Sequence, residues 1–250
     1  MQVVLFFTHG VSLKTWADSG LIGRETRIYQ ELIKKGFKVC FLTYGDDHDR
    51  KWEQDLGRIQ LLPIYERIPK FNFKFAKLIE AILIPFFFRK ELRESFCFKT
   101  NQIWGGWVAV ICKWIFQKPL IARCGYEYYS FCLKQKRNRL YCSLAYIGSW
   151  FTYKFSNCVN VATEVDKNFV INKFNISENK IKVRPNWIDC KEFSPSFAER
   201  NNYILAVGRL NEQKNLSLLF KSLQDTGHRL DLVGEGKLYQ MLVSEAVDLE

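Results

Sequence analysis

Short apolar runs recur along this chain, and stretches with helical spacing separate most of them. Strands are expected over residues 3–8, 38–43, 59–64, 96–100, 120–123, 158–162, 181–184, 204–207 and 230–233. Between the first two, residues 24–35 place Ile28, Leu32 and Ile33 on one helical face and stop at Gly36. A long apolar and basic helix is expected over residues 75–94. Strands alternating with helices in this way make parallel sheets with helices on both faces. The expected fold class is therefore α/β, with doubly wound parallel sheets.

Residues 188–202 follow neither pattern and carry Pro195, which reads as a linker between two α/β domains. The expected domains are residues 1–190 and residues 191–250. After Ile204 the second holds two strands and about two helices, whereas a self-standing doubly wound sheet takes about five or six strands. The second domain is thus expected to be incomplete, either truncated or finished by something outside this sequence.

The formal net charge of +11 over 250 residues suggests an anionic partner: nucleic acid, a phosphate-bearing ligand or an acidic membrane. Nucleic acid is disfavoured, because the aromatic residues lie mostly in apolar runs and not on a basic sheet face. The eight cysteines form no C-x-x-C pair, and most sit inside apolar runs, so a reduced cytosolic protein without disulfides or zinc is expected. The opening MQVVLFF lacks a basic flank and a small-residue cleavage site and reads as a first strand. The longest apolar stretch, residues 78–88, contains Glu80 and Pro85 and is too short to span a bilayer. A nicotinamide or flavin fingerprint is missing, since no G-x-G-x-x-G follows the first strand.

One turn carries the strongest chemical signal. In VGRLNEQKNLSLLF the strand stops at Gly208, Arg209 follows at once, Lys214 comes five residues later, and a helix begins near Asn215. Ligands of doubly wound sheets bind outside the carboxyl ends of the strands. Gly208 allows close backbone approach, and a helix start offers free N–H groups. Arg209 and Lys214 match phosphate oxygens as a fork and a point charge. The arrangement suits a diphosphate; two solvated loop cations are the plainer alternative. A second strand-to-helix turn, Gly234-Glu235-Gly236 in DLVGEGKLYQML, has the same layout.

With these segments in view, KIKVRPNWIDCKEFSP, YILAVGRLNEQKN and LDLVGEGKLYQML resemble the central part of glycosyltransferase family four. The resemblance extends over nearly the whole chain, from FFTHG onward. It implies the GT-B architecture, two Rossmann-like domains facing a cleft, here with the second incomplete. It also implies retaining transfer of a sugar from a nucleotide-diphosphate donor to a saccharide or lipid-linked acceptor, in surface polysaccharide or lipopolysaccharide synthesis. In the family the Arg and Lys of this segment bind the donor diphosphate, which here are Arg209 and Lys214, beside Gly208. The family's glycine-containing donor and acceptor loop corresponds to DSGLIGRE, with Ser19, Gly20 and Gly23, although the usual double glycine is missing. Many members place a histidine after the strand matching residues 96–100; this chain has Gln102 there. Gln102, His9 and Glu127 are the catalytic candidates, with a capping role as the alternative for Glu127 and a structural or solvent-facing role for His9. The family's Glu-seven residues-Glu motif is absent, so a weak or inactive transferase, or a non-catalytic remnant or binding subunit, is the second expectation.

No metal or other cofactor is expected, because a cationic clamp can meet the charge of a departing diphosphate. Asp47-His48-Asp49 formally fits D-x-D but lies in an acidic loop. Phe71, Phe73, Phe75 and Phe86–Phe88 alternate with Lys70, Lys74, Lys77, Arg89 and Lys90. A second basic group, Lys134, Lys136, Arg137 and Arg139, precedes an aromatic run. Such mixtures suit an anionic membrane surface, with core aromatics and a solvated basic rim as the alternative. The expected location is cytoplasmic, with peripheral placement on the inner face of the cytoplasmic membrane.

Overall fold

The computed structural model describes residues 1–73, 76–190, 193–195 and 203–247. Lys74 and Phe75 of the basic–aromatic segment and much of the expected linker, including its 190/191 boundary, lie outside the described residues. The chain divides into two compact units, Met1–Trp187 and Ile188–Glu250.

The first unit is a seven-stranded parallel sheet in the order β3-β2-β1-β4-β5-β6-β7. Its strands are β1 (Gln2–Phe6), β2 (Lys38–Thr43), β3 (Gln60–Pro63), β4 (Cys97–Thr100), β5 (Leu120–Cys124), β6 (Cys158–Val161) and β7 (Ile181–Val183). Its helices are α1 (Leu13–Asp18), α2 (Ile22–Lys34), α3 (Ala76–Phe87), α4 (Arg89–Glu94), α5 (Gly106–Phe116), α6 (Tyr128–Lys134), α7 (Arg139–Phe155) and α8 (Glu164–Phe174). The expected α/β class holds, because each run buried on both faces in the sheet centre must return by a crossover.

Alternation along the strands sorts the core. Val4 and Phe6 of β1 pack with Ala81, Ile84, Phe88, Val108 and Ala109 of the α3–α5 side. Their neighbours Leu5 and Phe7 point the other way, onto Trp16 of α1 and Tyr29 of α2. On the first of these faces Ala122, Val159 and Val161 continue the core onto Tyr153 and Phe174. The opposite face differs over β4–β7. There Cys97, Lys99, Ile121, Arg123, Cys158 and Asn160 are only half-buried, and Lys182 is exposed. The cause is topological: β1 to β3 wind outward under α1 and α2, while the crossovers that link β4 to β7 pack on the other side.

The long helix expected over residues 75–94 is two helices. Phe88 leaves helical geometry at φ −111° and ψ 24° and inserts its ring into the core. Pro85 inside α3 lacks the N–H that would continue the ladder three residues earlier.

The second unit contains β8 (Tyr203–Val207), α9 (Leu216–Leu223), β9 (Arg229–Val233) and α10 (Tyr239–Val247), with β8 and β9 paired in parallel. Among its described residues only Leu210 and Leu242 are fully buried apolar side chains. No helix among the described residues is long and apolar enough to cross a membrane.

Candidate functional site

The turn after β8 builds a small cationic cradle from its own backbone. Gly208 donates to the Val233 carbonyl at 3.0 Å, which closes the end of the strand pair. A short 3-10 turn, Glu212–Lys214, then brings the chain to Asn215, in the left-handed region at φ 48°, where α9 begins. This reversal folds Lys214 back over Gly208. A Cβ at residue 208 would lie 3.4 Å from the Lys214 Cε and 3.9 Å from its Nζ. The missing side chain therefore leaves the ammonium beside half-buried main chain. Arg209 is exposed, and among the described residues neither cation has an ion-pair partner. The distance between the Arg209 and Lys214 heads is not what joins them; the shared turn is.

The second glycine turn locks the first. Leu210 donates to the Glu235 carbonyl at 2.8 Å, and Leu238 donates back to the Leu210 carbonyl at 3.2 Å. A side chain at residue 234 would overlap the Gly208 carbonyl, and one at residue 236, where φ is +157°, would overlap the Leu210 carbonyl. Gly234 and Gly236, whose strand-to-helix turn resembles the first in sequence, thus pack directly against it.

In the first unit, strand order reverses between β1 and β4, the place where open α/β sheets bind ligands. His9 sits there. Its N–H donates to the Trp104 carbonyl at 3.2 Å, and its Nε2 lies 3.2 Å from the Lys77 carbonyl. A carbonyl can only accept, so Nε2 carries the proton in that bond and Nδ1 is left as an acceptor. Burial pushes the His9 pKa below its ordinary value, a change that the Lys77 carbonyl opposes. Gly105, at φ +88°, allows the approach, because any Cβ there would press 2.6 Å from the His9 Cβ.

Gln102 is half-buried at the end of β4, and its Oε1 accepts from the Gly125 N–H at 2.9 Å. Its oxygen thus ties two strand ends together and only its amide hydrogens remain available. Glu127 is the N-cap of α6 and accepts from the Ser130 N–H. The capping alternative is met, although the carboxylate is buried and not exposed. Burial raises its pKa; the N–H bonds from Ser130 and Tyr129 work against that.

The expected glycine loop is displaced from the end of β1, since α1 intervenes, held by a Ser12–Thr15 capping box. Ser19 is the C-cap of α1 and Gly20 follows at φ +63°. Gly23 belongs to the first turn of α2 and is not in the loop, and nothing lies near a Cβ added at either glycine. Ser19, Gly20 and Gly23 are exposed.

Asp49 also departs from its expected surroundings. It is buried, accepting from the Leu13 and Lys14 N–H groups at 2.9 and 3.0 Å and from the Thr43 hydroxyl at 2.9 Å. It anchors α1 to β2 and is turned away from Asp47 and His48. Asp46, Asp47 and His48 cluster at the surface, with His48 Nδ1 at 3.1 Å from both carboxylates.

The network that sequence reasoning missed lies one residue before each strand end. Thr100 Oγ1 accepts from the Arg123 N–H at 2.9 Å, Arg123 Nη2 donates to Asn186 Oδ1 at 2.8 Å, and Lys99 Nζ donates to the Tyr29 hydroxyl at 2.6 Å. Two cations inside apolar runs were the available signal.

No family model matches the chain. Over 94 residues, 35% of this chain and 27% of the relative, it is 32% identical to the amylovoran biosynthesis glycosyltransferase AmsD of Erwinia amylovora. Among solved structures, Anabaena HepE in complex with UDP is similar at a TM-score of 0.68 and 14% identity, over all of this chain and 66% of that one. Sucrose-phosphate synthase of Thermosynechococcus elongatus matches at 0.68 and 14%, over all of this chain and 69% of that one. The lipopolysaccharide outer core galactosyltransferase WaaB matches at 0.66 and 14%, covered to 65%. The chain spans about two thirds of the length of these structures, and its match reaches about a quarter of AmsD. What the likeness shows is the fold: GT-B-like α/β, built on parallel sheets.

Proposed function

We propose that this chain carries the acceptor-side domain and the donor-diphosphate clamp of a glycosyltransferase. The reaction is retaining transfer of a sugar from a nucleotide-diphosphate donor to a saccharide or lipid-linked acceptor in surface polysaccharide or lipopolysaccharide synthesis. The observation that carries the reading is the cradle after β8, where Lys214 lies over the side-chain-free backbone of Gly208 with Arg209 adjacent. Support comes also from the fold shared with HepE, which was solved with UDP and with UDP-glucose.

Negative charge develops on the departing diphosphate as the anomeric bond breaks. Arg209 and Lys214, carried on the turn after β8, meet that charge, so the proposed step needs no metal or other cofactor. His9 is the best placed of the three candidates in the first unit. Neutral near pH 7, with Nδ1 free, it can accept a hydrogen bond from an acceptor hydroxyl. Gln102 can donate to a sugar oxygen through its amide. Glu127, buried and committed to α6, has a structural role in this reading.

Calorimetry with UDP tests the clamp. The wild-type chain is expected to bind it, and R209Q/K214Q to lose at least about tenfold in affinity, since each charge-assisted bond contributes about 1.5–3 kcal/mol. Unchanged affinity would remove the proposal.

A membrane contact belongs to the same reading. Helix α3 is apolar on its outward face as well as inward, with Leu78, Ile79, Ile82 and Phe86 exposed, Phe86 to 68%. Phe71 and Phe73 extend this surface and Lys70, Lys77, Arg89 and Lys90 edge it. Such a patch suits an anionic lipid surface near a lipid-linked acceptor, on the cytoplasmic side. Pelleting with vesicles of phosphatidylglycerol, with binding lost in F73S/F86S, is the expected result; equal pelleting of the variant would reject it.

A further inference from the structure

The face of β4–β7 opposite α5, α7 and α8 carries cations and no acids, and Tyr29 of α2 reaches it at Lys99. Register places Lys99 beside Leu5 and Ile121, Arg123 two residues on from Ile121 and beside Asn160, and Asn160 beside Lys182. All of these side chains emerge on one side of the sheet. Arg184, just past β7, continues the row. None of the strand residues on this side is Asp or Glu.

Lys99 and Arg123 are the deepest of the set. Lys99 is half-buried mid-strand, held by the Tyr29 hydroxyl at 2.6 Å, with its ammonium 5.1 Å from the Tyr29 ring centroid. Among the described residues no carboxylate forms an ion pair with either cation. Glu25 is the carboxylate that acts on Lys99, and it is bound by Arg24 at 2.6 Å. Burial first and the charge of Arg123 second push the Lys99 pKa down to about 7, and the pull of Glu25 is weaker than that repulsion. Arg123 donates from Nη2 to the exposed Asn186, while its buried Nε has no acceptor among the described residues. A guanidinium nitrogen left unsatisfied beside a second confined cation is costly unless an anion joins them.

We infer that Lys99, Arg123 and Asn186 form an anion-binding site at the carboxyl edge of β4 and β5, taking a phosphate or carboxylate group of a small ligand. Resting on the transferase reading above, that ligand is an acceptor bearing an anionic substituent, either a sugar phosphate or an acidic sugar. Arg123 supplies a planar guanidinium whose Nε is unpartnered, Lys99 a point charge from the neighbouring strand, and the exposed Asn186 an amide N–H donor. The site lies wholly within the first unit and shares no residue with the Arg209–Lys214 clamp.

Calorimetry on the full chain tests this with three probes: inorganic phosphate, glucuronate and neutral galactose. Binding of phosphate or glucuronate, with galactose at least about tenfold weaker, is expected, and the preferred anion names the substituent. R123Q is expected to weaken that anion by about tenfold or more. R209Q/K214Q should leave it within about twofold, although it loses UDP. Circular dichroism checks that R123Q is folded; if it is not, K99M provides the same comparison. The site is overturned if neither anion binds, if R123Q and K99M both bind as tightly as wild type, or if the loss follows R209Q/K214Q instead. In each of those cases UDP binding, measured in the same samples, reports separately on the transferase reading.

Discussion

Residue 234 has no room for a side chain, because its Cβ would lie 1.8 Å from the Gly208 carbonyl oxygen. The two strand-to-helix turns of the second unit are therefore in backbone contact, and the geometry of the cationic turn depends on a residue far from its cations in sequence. G234A is expected to push the turns apart and destabilise this unit by about 1–3 kcal/mol, the usual cost of forcing atoms into a filled space. Thermal melting would read the stability and UDP calorimetry the cradle. Wild-type values in both would show that the turns can separate freely.

Gly105 makes the matching argument in the first unit. Its φ of +88° and its contact with His9 both disfavour a side chain. G105A should displace His9 from the switch point and cost about 1–3 kcal/mol. A melting temperature unchanged from wild type would contradict the contact.

His9 also predicts a pH dependence. Its folded pKa lies below the ordinary value of 6.5, so between the two values the unfolded chain binds more protons. Stability contributed by the neutral imidazole is full above about pH 6.5 and declines as pH falls through the lower, folded value. Proton NMR should give a His9 midpoint below 6.5, and H9Q should flatten the acid side of the stability profile.

Glu127 predicts the reverse sign. Its folded pKa is raised by burial, so the folded chain holds its proton longer than the unfolded one. The favourable contribution is present below the unfolded value of 4.5 and is lost as pH rises through the folded value. E127Q keeps an oxygen for the Ser130 N–H but cannot ionise, so it should remove this slope while leaving α6 capped. E127A should cost about 0.5–2 kcal/mol as a lost cap. Urea unfolding of both variants at pH 4 and pH 7 distinguishes these effects.

Glu80 holds the aromatic segment in place. Buried on α3, it accepts from the Tyr65 hydroxyl at 2.7 Å and from the Phe71 N–H at 2.8 Å. E80A strands both donors and should cost about 1–3 kcal/mol for each group left buried. It should also release Phe71 and Phe73 and weaken vesicle pelleting. Stability loss with pelleting intact would separate the segment from the membrane contact.

Much of the architecture is legible in local pattern. The strand expected at 38–43 coincides with β2, and the others agree within one or two residues. Runs such as VVLF and VCFL are apolar at every position, as a strand buried on both faces is. The turn chemistry of Gly208, Arg209 and Lys214 is equally local, since a strand end, a glycine and a helix start follow one another in sequence. Position alone named His9 as a strand-end residue.

Other features depended on neighbours distant in sequence. Whether Glu127 was a free carboxylate or a buried cap was decided by α6 and Tyr153, not by the segment RCGYE. Asp49 looked like part of an acidic loop until α1 supplied its N–H groups. Lys99 and Arg123, charges inside strands, came together because β4 and β5 lie side by side and both residues point to the same face of the sheet. Periodicity along the chain determines which residues can be strands, helices and turns; strand order and crossover direction determine which of their side chains meet, and no spacing in the sequence encodes that.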